Sequence, residues 1–253
     1  MIDWILIFAV TIASALVSLI GGVYLLYGKK GAKQLQRVAV PVAAGALLAA
    51  VFFDLLPEAM HEGEGESVLT LALAGFLLFF ILERSFSWFH HHHDEGEGHR
   101  SRNIPLIIAS DSLHNFIDGI AIGAAFLISP ATGVVAAIAI AAHEIPQEIG
   151  DFGLLLKRGM AKKKVLLVNI ISSLLTIVGA VAVYAFGESL EFIHPALLAI
   201  TAGCFLYIAA SDIIPTIHTE PSRKIANIQT VVLLASVATV AVLIELAHGY
   251  IAH

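Results

Sequence analysis

Long apolar runs alternate with short polar connections along the whole chain. Eight runs have at least about 20 residues, the length that a helix needs to cross a bilayer. Lipid requires backbone polar groups to be satisfied internally, so such runs predict helices, and the shorter alternating pieces of a transmembrane barrel are absent. We therefore predict an all-α membrane protein, one polytopic domain over residues 1–253. The predicted spans are Trp4–Tyr27, Val38–Met60, Val68–Phe89, Ile104–Ile128, Thr132–Leu156, Val165–Phe186, Pro195–Pro215 and Ile228–Ala247.

Composition agrees with that pattern. Of the 253 residues, 58% are hydrophobic and 13% are charged, against about 45–50% and about 25% in soluble domains. The single cysteine, Cys204, excludes an intrachain disulfide and a cysteine-based zinc site. The lipid bilayer is the expected surrounding, and no nucleic-acid partner is expected.

The basic residues predict an orientation. All 14 lysines and arginines lie in or beside alternate connections, and the other connections have none. The positive-inside rule then places the basic connections in the cytoplasm and both termini outside. A compact multi-pass chain of this kind favours the plasma (cell inner) membrane. The basic residues are Lys29, Lys30, Lys33, Arg37, Arg84, Arg100, Arg102, Lys157, Arg158, Lys162, Lys163, Lys164, Arg223 and Lys224.

A histidine-rich connection follows the third span, over residues 90–103. Its histidines and acidic residues predict weak, exchangeable metal binding on the cytoplasmic side, and a solvated polar linker is the alternative. The consecutive histidines are His90, His91, His92 and His93.

The ends of the second and seventh spans resemble each other. Each has an aspartate, two aliphatic residues, a proline and then a histidine. These residues are Asp54, Pro57 and His61 in the first copy and Asp212, Pro215 and His218 in the second. The two spans run in opposite directions, so we predict an inverted repeat in a 3+2+3 arrangement, as in many secondary transporters. Coincidence between two helix-end motifs is the alternative.

Two polar clusters interrupt the fourth and fifth spans. Polar and ionisable residues inside a membrane are expensive and mark functional sites. The pairs His114/Asp118 and His143/Gln147 have the i, i+4 spacing of one helix face, and a short connection brings the two clusters together near the midplane. The clusters are Asp111, His114, Asn115 and Asp118, and His143, Glu144, Gln147, Glu148 and Asp151.

The residue types in these clusters indicate a divalent transition metal. Imidazole suits zinc, iron, copper and nickel, and carboxylates extend the range towards manganese. Pro146 predicts a kink in the fifth span that frees a carbonyl near Ala142. Gly119 and Gly123 predict a close approach of the fourth span to a neighbour. Interhelical hydrogen bonding without metal is the alternative.

Two segments resemble the signatures of the ZIP divalent-metal transporters. The run from His114 to Gly119, followed by Ile120–Gly123, is similar to the fourth-helix signature of that family, and the run from His143 to Phe152 is similar to its fifth-helix signature. The resemblance extends to eight spans, two outer termini and a histidine-rich third connection. It implies import of zinc, iron, manganese or similar ions, a homodimer, and elevator-like movement of a transport bundle against a scaffold.

The resemblance also implies a binuclear metal site between the fourth and fifth spans. One metal would be held by His114, Asp118, His143 and Gln147, and the second by Asn115, Asp118, Glu144 and Gln147. Many members have histidine where this chain has Gln147, and others have glutamate. Some carry a glutamate on the sixth span, where this chain offers Asn169, Ser172 and Ser173. These departures leave the second metal position open.

We therefore expect a transporter that moves a divalent transition metal into the cytoplasm, Zn²⁺ first and also Fe²⁺, Mn²⁺ or Cd²⁺. The metal is the cargo, and no catalytic cofactor is expected. Asp54 and Glu58 would line the outer end of the route, and Asp212 and His218 the inner end.

The alternative is a membrane-embedded zinc metalloenzyme, an intramembrane protease or lipid hydrolase. The run His143-Glu144-Ile145-Pro146-Gln147 is similar to the His-Glu-x-x-His zinc motif but ends in glutamine. A metal sensor that binds without flux is a third hypothesis.

Overall fold

The computed structural model describes residues 2–27, 32–91, 104–187 and 193–251. These residues form helices joined by short connections, and no strand occurs among them. The prediction of an all-α fold is therefore confirmed. The helices are α1 (Ile2–Tyr27), α2 (Ala32–Ala50), α3 (Leu56–Glu62), α4 (Gly65–His91), α5 (Ile104–Ile128), α6 (Pro130–Lys157), α7 (Lys162–Gly187), α8 (His194–Ile208), α9 (Ile214–His218) and α10 (Arg223–Ile251).

Six helical stretches in the described chain are long and apolar enough to cross a membrane. The other two long helices, α5 with 25 residues and α6 with 28, are long enough but carry the polar clusters, which lower their apolar content. The six stretches are Trp4–Tyr27, Gln34–Glu62, Gly65–Ser85, Lys162–Gly187, His194–His218 and Arg223–Gly249.

Two π-helical turns interrupt the second and seventh predicted spans at matching places. Val51–Leu55 separates α2 from α3, and Ala209–Ile213 separates α8 from α9. In each turn the next backbone N–H reaches five residues back, from Leu56 to Val51 and from Ile214 to Ala209. A proline stands two residues after the end of each turn, Pro57 and Pro215, so the prolines of the repeat mark a local widening of the helix that periodicity does not reveal.

The packing of the helices agrees with an inverted repeat. α2 packs along α10 and α8 packs along α4, while α1 packs on α6 and α5 packs on α7. Exchanging the first three spans with the last three turns the α2–α10 contact into the α8–α4 contact. The same exchange turns the α1–α6 contact into the α7–α5 contact, so α5 and α6 also change places. The 3+2+3 arrangement itself stays a prediction, and α5 and α6 lie in the middle of the packing.

Several predicted boundaries differ in the structure, and the proline inside the fifth span does not interrupt its helix. α5 and α6 are joined by Ser129 alone, because its side chain accepts a hydrogen bond from the Thr132 N–H at 3.0 Å and Pro130 occupies the first helical position. α6 continues as one helix through Pro146. α4 extends through His91, so the first two residues of the predicted 90–103 loop are helical. The rest of that loop lies outside the described residues.

Close backbone contact fixes α5 against α7. A Cβ atom on Gly119 would meet the carbonyl oxygen of Thr176, and one on Gly179 would meet that of Phe116. Only residues without a side chain permit this approach. The predicted close neighbour of the fourth span is therefore α7, and this contact orients the polar face of α5.

Two ends of the bundle can be distinguished by charge. Lys162 donates a hydrogen bond to the Leu26 carbonyl at 2.7 Å, and Arg37 lies 3.2 Å from Glu220. We call this the basic end. At the opposite end, Gly63 lies against Pro195 and His194 contacts the Gly187 carbonyl at 3.3 Å.

Candidate metal centre

Two histidines and an aspartate meet between α5 and α6. The Nε2 atoms of His114 and His143 are 3.3 Å apart. Asp118 Oδ2 lies 3.2 Å from His143 Nε2 and 3.7 Å from His114 Nε2. The i, i+4 spacing of His114 and Asp118 and the one-residue connection between the helices account for this meeting.

Glu144 completes a group of four. Its Oε1 atom lies 3.6 Å from His114 Nε2 and 3.8 Å from His143 Nε2. One ligand atom from each of the four residues falls within 4.8 Å of all the others. With metal–ligand bonds of about 2.0–2.2 Å, two ligand atoms of a tetrahedral zinc ion lie about 3.3 Å apart. The four residues, here called the central cluster, therefore have nearly the spacing of a tetrahedral site.

The carboxylates of the central cluster are buried, and three of their four oxygens make no hydrogen bond, although imidazole nitrogens lie 3.2–3.8 Å away. Asp118 is 1% exposed and Glu144 is 3% exposed. Asp118 Oδ2 and both Glu144 oxygens have no hydrogen-bond partner. Buried carboxylates in this state are costly unless a cation or proton compensates them. The donor set of two imidazoles and two carboxylates fits a divalent transition metal.

Neighbouring groups orient the two imidazole rings. His143 Nδ1 lies 3.4 Å from the Ala139 carbonyl, where an N–H on Nδ1 leaves the Nε2 lone pair directed at the cluster. Phe79 packs edge-on against His114, with ring centroids 5.6 Å apart, and Phe205 lies 6.4 Å from His143. The rings are held by α4, α8 and the α6 backbone.

Asn115 turns away from the central cluster. Its amide nitrogen donates to Asp111 Oδ1 at 3.1 Å and to Ser172 Oγ at 3.4 Å. Its amide oxygen accepts a hydrogen bond from Thr176 Oγ1 at 3.0 Å. The close α5–α7 contact explains this orientation, because Thr176 is the residue packed on Gly119. The resemblance gave Asn115 to a second metal, whereas the structure engages both ends of its amide.

Gln147 lines two cavities that reach the central cluster from the basic end. The first inner cavity, of about 290 Å³, also contains Glu83, Asp111, His114 and Asp151. The second, of about 260 Å³, runs past His143 and Pro146 to residues of α2 and α9. Both cavities lead from the central cluster towards the end that carries Arg37.

Glu148 lies deeper than the inner cavities. It is fully buried, and neither carboxylate oxygen has a hydrogen-bond partner. Ser173 and Asn169, also buried, face the same interior from α7. Asn169 Oδ1 lacks a hydrogen-bond partner as well. The polar stripe of the fifth span therefore continues into the protein rather than into water.

An apolar layer separates the central cluster from the opposite end. It consists of small and aliphatic residues where α2 packs on α6, all at most 1% exposed. Its members are Ala43, Leu47, Ala50, Ala136 and Ile140. Asp54 and Glu58 lie beyond this layer and line an outer cavity of about 520 Å³.

Of the remaining predicted pathway residues, the structure describes only the His218 side chain. His218 is exposed at the end of α9. Asp212 belongs to the second π-helical turn, and its side chain is not among those described. His90 and His91 end α4, with side chains that also fall outside the description, as do His92 and His93 entirely.

Sequence reasoning did not identify His248. Its Nε2 atom lies 2.7 Å from Asp54 Oδ1 in the outer cavity. A histidine near the end of the last apolar run was a signal, but its partner lies 194 residues away in the sequence. Thr176, which holds Asn115, was missed for a similar reason.

Comparison with known proteins gives one consistent result. The family model described as ZIP zinc transporter matches residues 90–244. Human zinc transporter ZIP10 is 34% identical over 166 residues, covering 61% of this chain and 18% of that protein. Drosophila melanogaster zinc transporter foi is 42% identical over 112 residues, covering 44% and 16%. Human ZIP4 is 41% identical over 110 residues, covering 44% and 17%.

The matched regions span less than a fifth of the length of these relatives. The family model nevertheless covers more than half of this chain and includes both signature segments. Those segments contain all four residues of the central cluster. The chain belongs to the ZIP zinc transporter family.

Proposed function

We propose that the protein carries a divalent transition metal across a membrane into the cytoplasm, through the central cluster between α5 and α6. The observation that carries this proposal is the convergence of two imidazoles and two buried carboxylates within ligand distance of one another. The three relatives are all named zinc transporters, which supports Zn²⁺ as the first cargo. Fe²⁺, Mn²⁺ and Cd²⁺ are further candidates because imidazole and carboxylate accept them.

The ligands that we propose are among those implied by the resemblance, but they do not all contribute equally to binding. His114, Asp118, His143 and Glu144 hold the ion, and their spacing supports a single tetrahedral site. Gln147 lines both inner cavities and offers a neutral oxygen during release. Asn115 is a ligand only if its contacts with Thr176 and Ser172 break. We therefore expect one tightly held ion per chain.

The cavities support a route to the basic end. Asp111 and Asp151 line the first inner cavity, and the apolar layer closes the cluster from the other side. An ion released from this arrangement leaves by the basic end, which the positive-inside rule makes cytoplasmic. Entry requires the apolar layer to open, and the resemblance implies an elevator-like movement for this step.

Auxiliary roles are proposed for the remaining acidic and histidine residues. Asp54 and Glu58 admit the ion, Glu148 and Asp111 extend the polar interior, and Asp212 and His218 serve the exit. His90–His93 collect released metal in the cytoplasm. The protein would lie in the plasma membrane as a homodimer, with both termini outside.

Membership of this family groups the chain with transporters rather than enzymes. The metalloenzyme hypothesis also needs a second histidine at the place of Gln147. We expect metal movement with no other substrate present.

Flux into liposomes tests the proposal. The purified protein would be reconstituted with a metal-sensitive dye inside, and Zn²⁺, Cd²⁺, Fe²⁺ and Mn²⁺ added in turn. We expect saturable entry that Asp118→Ala and His143→Ala abolish. Thr230→Ala, which changes an exposed hydroxyl on α10, is the matched control and should keep full flux. Unchanged uptake in both cluster variants would refute the site.

A further inference from the structure

A second group of ligand-type side chains lies beyond the apolar layer. His248 of α10 pairs with Asp54 of the first π-helical turn, with Nε2 and Oδ1 2.7 Å apart. The Asp54 side chain is fully buried, whereas that of His248 is 39% exposed. The pair therefore joins a buried carboxylate to an imidazole that water can reach.

The other oxygen of Asp54 is unpartnered. Asp54 Oδ2 is buried and has no hydrogen-bond partner, and Asp54 lines the outer cavity. The Thr132 side chain also interacts with this carboxylate. An ion pair that served packing alone would still leave Oδ2 without a hydrogen bond, and a buried carboxylate needs several partners. The cavity beside it gives room for a ligand of opposite charge.

Two more carboxylates line the same cavity. Glu58 follows Asp54 by four residues and Glu245 precedes His248 by three, so each helix presents two ligand-type groups on one face. No lysine or arginine is among the described residues that line the cavity. Three carboxylates and one imidazole therefore carry a net negative charge whether or not the imidazole is protonated.

We propose that Asp54, Glu58, Glu245 and His248 form a second divalent-cation site. Its donors are of the same chemical classes as those of the central cluster, so it takes the same class of ion, with Zn²⁺ and Cd²⁺ as the best probes. The His248 ring turns away from Asp54 Oδ1, so that the imidazole and the carboxylate both bind the ion. The role of this site in loading the central cluster rests on the proposed transport function, but the binding itself does not.

Metal counting tests the site without transport. Cd²⁺ bound per chain would be measured by equilibrium dialysis on the full chain carrying Asp118→Ala and His143→Ala, which remove the central cluster. Adding His248→Ala should remove one bound Cd²⁺ per chain, and the histidine-rich segment is present in both proteins. Equal Cd²⁺ content in the two proteins would overturn the proposal.

Thiol protection gives an independent measurement on otherwise intact protein. In His248→Cys, Cd²⁺ should slow alkylation of the new thiol, and adding Asp54→Asn should raise the Cd²⁺ concentration required by roughly tenfold or more. Leu246→Cys is the matched control, since Leu246 is exposed on the same helix and does not line the cavity. Equal protection of both thiols, or protection that ignores Asp54→Asn, would overturn the site.

The two proposals fail separately. If Cd²⁺ counting shows the His248-dependent ion and liposome flux is absent, the second site stands and the transport function falls. If flux is present and the count does not depend on His248, transport stands and the second site falls.

Discussion

The central cluster and the outer cavity use the same ligand types in opposite surroundings. In the central cluster, His143, Asp118 and Glu144 are at most 3% exposed. In the outer cavity only Asp54 is fully buried, while the His248 side chain is 39% exposed and Glu245 is exposed. The apolar layer lies between them. From this comparison we infer that burial, rather than ligand type, distinguishes a site that holds the ion tightly from a site that admits it.

The largest expected effect compares one carboxylate from each region. At about 4 Å, opposite unit charges interact by about 1 kcal/mol in water and by about 4 kcal/mol at an effective dielectric constant of 20. Glu144→Gln should therefore weaken Cd²⁺ binding at the central cluster by roughly a thousandfold. Glu245→Gln should weaken the outer site by less than about tenfold.

Each affinity would be measured by calorimetry with the other site removed. His248→Ala would isolate the central cluster, and Asp118→Ala with His143→Ala would isolate the outer site. Equal losses in the two regions would show that burial does not set their difference.

The next largest effect concerns the packing that orients α5. Gly119→Ala drives a Cβ into the Thr176 carbonyl, whereas Gly150→Ala meets nothing within 4 Å. Overpacking of this kind costs about 1–3 kcal/mol, and alanine in place of glycine in an open helix gains up to about 1 kcal/mol. Thermal unfolding in detergent should thus show a lower midpoint for Gly119→Ala only.

Cd²⁺ affinity should rank the Gly119→Ala and Gly150→Ala variants in the same order as their thermal stability. Gly119→Ala also strains the contact of Thr176 with Asn115, so Cd²⁺ affinity at the central cluster should fall with stability. Equal midpoints for the two alanine variants would mean that α5 and α7 separate freely, and that glycine does not fix the cluster.

Local spacing made the helical fold and the meeting of α5 and α6 predictable. The apolar runs predict helices of about the observed lengths, and i, i+4 spacing puts His114 and Asp118 on one face. The π-helical turns escaped prediction because a proline near a helix end is ordinarily only an end signal. One of these two turns contains Asp54.

Tertiary contacts account for the rest. The diversion of Asn115 depends on how closely α5 approaches α7, and the pairing of His248 with Asp54 depends on α10 packing along α2. The periodicity of a single helix predicts neither of these contacts. Gly119 signalled a close approach, but it did not say which helix would approach.

The smallest expected effect separates the two inner cavities as exit routes. The first cavity is lined by Glu83, Asp111 and Asp151, whereas no carboxylate is among the described side chains that line the second. An acid-lined path concentrates cations and speeds their passage by roughly tenfold or more. Blocking the first cavity with Ser110→Trp should therefore slow Zn²⁺ flux by about that factor, and blocking the second with Gly150→Trp should leave most of the flux.

Both variants place a tryptophan side chain among the residues that line one cavity, so each is the control for the other. Initial rates of dye response in liposomes would be compared at equal protein content, and Cd²⁺ binding at the central cluster would verify that both variants keep the site. A greater loss in Gly150→Trp would assign the exit to the route past His143 and Pro146. In that case neutral oxygens, among them Gln147, would guide release, and the carboxylates of the first cavity would serve to hold the ion near the cluster.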